Sequence, residues 1–92
     1  MRIRWTLPAA DDLAGICDYT EDHDGPEAAR RLALRLTQGI ESLMQFPLRG
    51  RPGRVEGTLE LVFPGLPFLA IYRIREDVAE ILRILHGAQR WP

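Results

Sequence analysis

Lysine is absent from this sequence, cysteine occurs once, histidine occurs twice, and no long uninterrupted apolar run is present. The single Cys17 cannot form an internal disulfide, and one cysteine with two distant histidines lacks the ligand spacing of a metal site, so we expect neither metal nor cofactor. The longest apolar stretch, 59–72, is interrupted by Glu60, Pro64 and Pro67 and is too short for a bilayer, which takes about 20 apolar residues. With no secretory signal at the N-terminus, the sequence predicts a cytoplasmic protein with no membrane partner.

The charges that are present are unevenly distributed. All twelve cationic side chains are arginine, although the net charge is −1. Every charged residue from 11 to 27 is acidic, whereas arginine dominates residues 30–54. The guanidinium group of arginine can form two hydrogen bonds with a phosphate or a carboxylate, so the exclusive use of arginine could reflect binding of such groups. The alternative explanation for it is a GC-rich genome that favours arginine codons. The acidic segment is a poor match for nucleic acid, so we expect no sequence-specific DNA binding by this chain alone.

The length and periodicity predict one α+β domain that covers residues 1–92. A short strand at residues 2–6 precedes a helix with Pro8 in its first turn, and Gly25 separates that helix from a second one. The second helix carries a continuous apolar stripe of Ala29, Leu32, Leu36, Ile40 and Leu43. Three strands follow at 58–63, Phe68–Arg75 and Val78–His86. We therefore expect an antiparallel helical hairpin on one face of a mainly antiparallel sheet with a C-terminal three-strand meander.

A turn at residues 76–77 sets the predicted register of the last hairpin. It pairs Arg75 with Val78 and Arg73 with Glu80, then Ile71 with Leu82 and Leu69 with Ile84. One face then carries Leu69, Ile71, Arg73, Glu80, Leu82, Ile84 and His86, and both faces are largely apolar. The helical hairpin can cover only one face, so the second is predicted to contact a partner or another copy of the chain.

The element order and several segments resemble the RelE/ParE toxins of type II toxin–antitoxin systems. The resemblance is carried by residues 57–62 (Gly-Thr-Leu-Glu-Leu-Val), 68–74 (Phe-Leu-Ala-Ile-Tyr-Arg-Ile) and 81–92 (Ile-Leu-Arg-Ile-Leu-His-Gly-Ala-Gln-Arg-Trp-Pro). Residues 10–13 (Ala-Asp-Asp-Leu) and 46–51 (Phe-Pro-Leu-Arg-Gly-Arg) also fall where such toxins have similar residues. The resemblance covers essentially the whole chain and implies a growth-inhibiting, plasmid-stabilising toxin that a cognate antitoxin neutralises.

Two functions occur on this fold, which alone does not choose between them. The resemblance implies either a RelE-like mRNA endonuclease at the ribosome or a ParE-like protein that poisons DNA gyrase. Here Leu69 stands where RelE-like enzymes often have an arginine three residues before the strand tyrosine, Tyr72. Leu59 replaces the arginine of their Gly-Thr-Arg-Glu-Leu segment. These replacements favour the ParE-like function.

The hypothesis of an RNase still has candidate residues. RNA cleavage needs a group that accepts a proton and groups that stabilise the extra phosphate charge. His86 is the candidate for the first role, and Arg51, Arg54 and Arg73 are candidates for the second. Alternative roles are packing for His86 and a cross-strand ion pair with Glu80 for Arg73.

We therefore predict a ParE-like toxin whose antitoxin binds the apolar face of Leu69, Ile71, Leu82 and Ile84. The runner-up is an mRNA endonuclease that uses His86, Arg51, Arg54 and Arg73. A degenerate toxin that acts only with its antitoxin in autoregulation is the third hypothesis.

Overall fold

The structure, a computed structural model, describes residues 1–87 and 89–92 of the chain. Ala88, which belongs to the segment 81–92 that carries part of the family resemblance, lies outside the described residues. The elements are β1 (Arg2–Trp5), α1 (Leu7–Asp24), α2 (Pro26–Glu41), a 3-10 helix (Ser42–Met44), β2 (Arg51–Pro52), β3 (Leu59–Val62), β4 (Phe68–Arg75) and β5 (Val78–His86). The predicted bounds of β4 and β5 are confirmed, and β1 and β3 are slightly shorter than predicted.

The strands form one five-stranded sheet in the order β1-β5-β4-β3-β2. The pair β1–β5 is parallel, and the other three pairs are antiparallel. The helical hairpin packs on one face of this sheet, here called the helix face; the other is called the open face. The predicted α+β class and the helical hairpin are confirmed.

Local sequence explains where the helices begin and end. Thr6 is the N-cap of α1, where its hydroxyl accepts a hydrogen bond from the Ala9 N–H at 3.3 Å, and Pro8 occupies the first turn. Gly25 lies between the helices with φ of 91°, a conformation that favours glycine. Because α2 starts at once with Pro26, the two helices form the tight hairpin that the sequence predicts.

The core lies between the hairpin and the helix face of the sheet. Its fully buried members include Leu36, Ile40, Leu43, Tyr72 and Ile81, so the predicted stripe of α2 is the face that packs on the sheet. Gly39, inside α2, is where the Phe63 ring packs: a Cβ at position 39 would lie 2.6 Å from Phe63 Cε1. The glycine is therefore explained by close packing of the ring on the helix.

The hairpin of β4 and β5 departs from the predicted register at one residue. The pairs Arg75–Val78 and Arg73–Glu80 are confirmed, but the register shifts between Ile71 and Tyr72 of β4. Tyr72 pairs with Ile81 and Ile71 pairs with Arg83, so Leu82 is the extra residue of a β-bulge. The predicted pairs Ile71–Leu82 and Leu69–Ile84 are therefore wrong. A one-residue offset exchanges the faces of the residues beyond it.

The open face is less available than the sequence predicts. Ile71 and Leu85 are only 1% and 4% exposed, although neither belongs to the core beneath the helices. Trp91 of the C-terminal segment borders a small cleft there together with Leu69, Ile71 and Leu85. The chain's own C-terminal segment therefore covers part of the apolar area that the sequence predicts to contact a partner.

Among the described residues, no helix is both long enough and apolar enough to cross a membrane.

Candidate functional site

The first turns of α1 hold the bulged part of β5. Since β1 ends opposite Ile81, the following residues of β5 have no strand on that side. Thr6 replaces a strand there: its N–H donates to the Ile81 carbonyl at 3.0 Å, and its hydroxyl donates to the carbonyls of Ile81 and Leu82 at 2.8 and 3.1 Å. These contacts satisfy backbone carbonyls that the bulge would otherwise leave unpaired.

Asp12 completes this junction. Its carboxylate accepts hydrogen bonds from Arg83 Nε at 2.7 Å, from an Arg83 terminal nitrogen at 3.0 Å and from the Ile84 N–H at 2.9 Å. The hydrogen bond to Asp12 raises the pKa of Arg83. The sequence analysis missed this bidentate pair because its partners are more than 70 positions apart. Its consequence is that the end of β5 is fixed against α1.

His86 lies on the helix face. It pairs with Phe68 across the hairpin, and the two rings meet edge to face with centroids 5.9 Å apart. The His86 N–H donates to the Gln89 side-chain oxygen at 2.6 Å. The predicted placement of His86 on one face with Leu69, Ile71 and Arg73 is therefore wrong, because the bulge reverses the alternation after Ile81.

The three candidate arginines lie on or beside the open face instead. Arg73 donates to Glu80 at 2.6 Å, which confirms the predicted cross-strand ion pair, and Arg4 binds the same carboxylate. Arg51 donates to Glu60 at 3.0 Å. Arg54 borders the small cleft with Ile71, Leu85 and Trp91. The histidine and the arginines are thus not brought together, and two of the three arginines are held by carboxylates.

Tyr72 of β4 is fully buried, and its hydroxyl holds the loop before β2. Its hydroxyl donates to the Pro47 carbonyl at 2.8 Å and accepts from the Gly50 N–H at 2.9 Å. A Cβ at Gly50 would lie 2.7 Å from this hydroxyl, so glycine is needed for the close approach. Burial raises the pKa of Tyr72. The tyrosine therefore anchors a loop and exposes no hydroxyl for chemistry.

The four residues predicted to bind an antitoxin do not form one surface. Leu69 and Ile71 lie on the open face, Leu82 is the bulged residue, and Ile84 lies in the core beneath the helices. Ile71 and Ile84 are buried, whereas Leu69 and Leu82 are half-buried. The shared face assigned to them is wrong for the same reason as for His86.

A groove of about 800 Å³ lies between α1 and the end of the sheet. Apolar side chains from four different elements and one connecting loop line it: Ile16, Leu32, Leu66, Phe68 and Ile84. Asp11, Asp24 and His86 stand at its border. The groove can therefore accept an apolar segment that carries positive charge.

Sequence reasoning missed this groove because its lining is scattered along the chain. Leu32, for example, belongs to the apolar stripe that the sequence predicts for the core face of α2. Gly15 lies in the α1 wall, and a Cβ there would meet nothing within 4 Å. The pattern of α1 gave a partial signal, since Ile16 and Thr20, a turn apart, both line the groove.

The described residues contain no group of three or more histidine, cysteine or acidic side chains that could hold a metal ion. The nearest approach to such a set in sequence is the acidic run of α1. Its Asp12 is used by Arg83 and Ile84.

Comparison with known proteins places this arrangement in a family. The model of the ParE toxin of type II toxin–antitoxin systems, parDE, matches residues 3–91. The putative toxin Y4kP of Sinorhizobium fredii is 45% identical over 91 residues, which cover 99% of this chain and 93% of that protein. Toxin RelE2 of Caulobacter vibrioides is 35% identical over 96% of this chain and 97% of its own length.

A solved structure supports the same assignment. The chromosomal ParDE toxin–antitoxin system of P. aeruginosa contains a chain that is 33% identical, with a TM-score of 0.87 and coverage of 94% of this chain and 95% of that chain. The toxin–antitoxin complex RelBE2 of Mycobacterium tuberculosis shares the fold at 24% identity, with a TM-score of 0.66 and coverage of 92% and 95%. This chain belongs to the ParE toxin family of type II toxin–antitoxin systems.

Proposed function

We propose that this toxin inhibits growth by binding a protein target, with DNA gyrase as the first candidate, and does not cleave RNA. The observation that carries the proposal is that His86 lies on the helix face while Arg73 and Arg51 lie on the open face. A cleavage site needs its proton acceptor and its charge-stabilising group around one phosphate. The sheet separates these groups here.

The ion pairs of the open face support the same proposal. Glu80 is 5% exposed and holds both Arg4 and Arg73, while Glu60 holds Arg51. Recruiting Arg73 to a phosphate would leave a buried carboxylate with one partner fewer, which is costly. Arginines that are paired in this way are better placed to stabilise the sheet than to stabilise a transition state.

The test compares two activities of the purified chain. We expect it to reduce supercoiling by DNA gyrase and to leave messages uncut in a translation reaction mapped by primer extension. His86→Ala is compared with His23→Ala, a matched control at an exposed position of α1. Message cuts in the ribosomal A site that disappear in His86→Ala and persist in His23→Ala would overturn the proposal. Growth that is unaffected by expression without antitoxin would instead favour a degenerate toxin.

The groove between α1 and the sheet is our candidate for the antitoxin-binding site. Five acidic residues of α1 have no ion pair within residues 1–87 and 89–92: Asp11, Asp18, Glu21, Asp22 and Asp24. Two of these, Asp11 and Asp24, border the groove. An antitoxin segment with apolar side chains and arginine or lysine would complement these two carboxylates and the apolar lining. Of the four residues first assigned to antitoxin binding, Ile84 alone lines the groove. Leu69 and Leu82 stay candidates for further contacts outside it.

Filling the groove tests this assignment. Gly15→Trp places an indole in open space within the α1 wall, and Ala14→Trp places the same group on the neighbouring exposed position outside the groove lining. We expect Gly15→Trp to weaken binding of the cognate antitoxin by roughly tenfold or more. Ala14→Trp should leave that affinity unchanged. Equal affinities of both variants and the wild type would exclude the groove.

A further inference from the structure

Three large apolar side chains are exposed in residues 44–48, a five-residue segment that follows α2. Met44, Phe46 and Leu48 are 48%, 61% and 75% exposed. We call residues 44–48 the projection. Single exposed apolar side chains are normal on soluble proteins, but a cluster of them indicates a surface that binds something. Pro47 lies between two of them, and the segment borders an open concavity of about 690 Å³.

The projection is held rigidly although its side chains are exposed. The buried Tyr72 hydroxyl binds the Pro47 carbonyl and the Gly50 N–H. At the other end, the Phe46 N–H donates to the Ser42 carbonyl at 3.0 Å, and Arg49 donates to the Ser42 hydroxyl at 2.7 Å. A loop that is fixed in this way loses little conformational entropy on binding, which favours affinity.

Positive charge is concentrated on the C-terminal side of the projection. Residues 42–55 contain three arginines and no acidic residue. Arg51 is paired with Glu60, whereas within residues 1–87 and 89–92 no carboxylate pairs with Arg49 or Arg54. Arg49 itself borders the concavity. A binding partner should therefore offer carboxylates beside an apolar recess, because such a surface complements both features.

We propose that the projection docks into an apolar recess, bordered by carboxylates, on the protein that the toxin inhibits. The inference rests on the proposed function, since it names the surface that engages the target of growth inhibition. It assigns this surface to the target and not to the antitoxin because the projection and the groove have no lining residue in common. Phe46 is the anchor, because aromatic residues, methionine and arginine are enriched in protein interfaces.

The test separates target binding from antitoxin binding in one set of variants. Phe46→Ala and Leu48→Ala remove apolar surface from the projection, and Leu34→Ala removes it from an exposed leucine of α2 outside the projection. Each variant is expressed from a titratable promoter without antitoxin, and is purified for thermal unfolding and for titration with the purified cognate antitoxin.

We expect the inducer dose that halves growth to rise by roughly tenfold or more in Phe46→Ala and Leu48→Ala, and to stay unchanged in Leu34→Ala. Unfolding midpoints and antitoxin affinities should match those of the wild type, since the removed side chains are exposed. Undiminished toxicity of the projection variants would overturn the inference while the proposed function stands. So would a tenfold loss of antitoxin affinity, which would make the projection part of the antitoxin contact. A wild-type chain without toxicity would refute both proposals.

Discussion

Gly39 and Gly15 both lie inside helices, and the structure predicts opposite effects of replacing them by alanine. Helix propensity alone favours alanine over glycine by about 1 kcal/mol at either position. A Cβ at Gly15 would meet nothing within 4 Å, whereas a Cβ at Gly39 would lie 2.6 and 2.8 Å from Cε1 and Cδ1 of Phe63. Since Phe63 is buried in the core, its ring has little room to move aside.

The magnitude follows from two opposing contributions. Gly15→Ala should raise the free energy of unfolding by about 0.5–1 kcal/mol. Gly39→Ala gains the same helix propensity, but overpacking a core costs about 1–3 kcal/mol. We therefore expect Gly39→Ala to be neutral to destabilising by about 2 kcal/mol, and to unfold at a lower temperature than Gly15→Ala. For a domain of this size, each 1 kcal/mol corresponds to a shift of about 4–8 °C in Tm.

Thermal and urea unfolding of the wild type and the two variants provide the measurement. The double variant Phe63→Leu with Gly39→Ala is the internal check. Because the side chain at position 63 is then smaller, adding Gly39→Ala to Phe63→Leu should lower the free energy of unfolding by less than adding it to the wild type does. Equal stabilisation by Gly39→Ala and Gly15→Ala would refute the reasoning. It would mean that the ring does not depend on the glycine for its place against α2.

Two further predictions concern buried polar groups. Tyr72→Phe should lower the free energy of unfolding by about 1–3 kcal/mol in urea, because the Pro47 carbonyl and the Gly50 N–H lose their partner; Tyr19→Phe, at an exposed position, should have little effect. Hydrogen bonds from Arg4 and Arg73 lower the pKa of Glu80 in the folded chain, so its stabilising contribution is present above the ordinary glutamate pKa and is lost as pH falls through the lowered value. Wild-type stability should therefore fall more steeply below about pH 4.5 than that of Glu80→Gln, and identical slopes between pH 5 and 2.5 would contradict this assignment.

The helices and most strand bounds could be predicted because their signals are local. The α2 stripe, the Gly25 junction and the alternation in β4 each lie within a few residues of the feature they specify. The near half of the last hairpin follows for the same reason. Its turn at Glu76 and Asp77, both with positive φ, fixes the pairing of Arg75 with Val78 and of Arg73 with Glu80.

The far half could not be predicted, because both faces of β5 are apolar. Alternation of polar and apolar residues reports a register only where one face differs from the other. Ile81, Leu82, Ile84 and Leu85 are all apolar, so an extra residue among them leaves no trace in the pattern. The groove could not be predicted for a related reason, since its lining depends on the face of the sheet on which Ile84 lies.

The bulge at Leu82 also determines whether the predicted RNase candidates share one face of the sheet. In the regular register that the sequence predicts, with Leu82 paired to Ile71, His86 would share a face with Arg73. With the bulge, His86 stands beside Phe68 at the border of the groove. The contacts that satisfy the bulged backbone come from Thr6 and Asp12, at the other end of the sequence. Two side chains of the first helix turns thus hold the bulged part of β5, which places the C-terminal histidine on the helix face beside the groove that we propose as the antitoxin site.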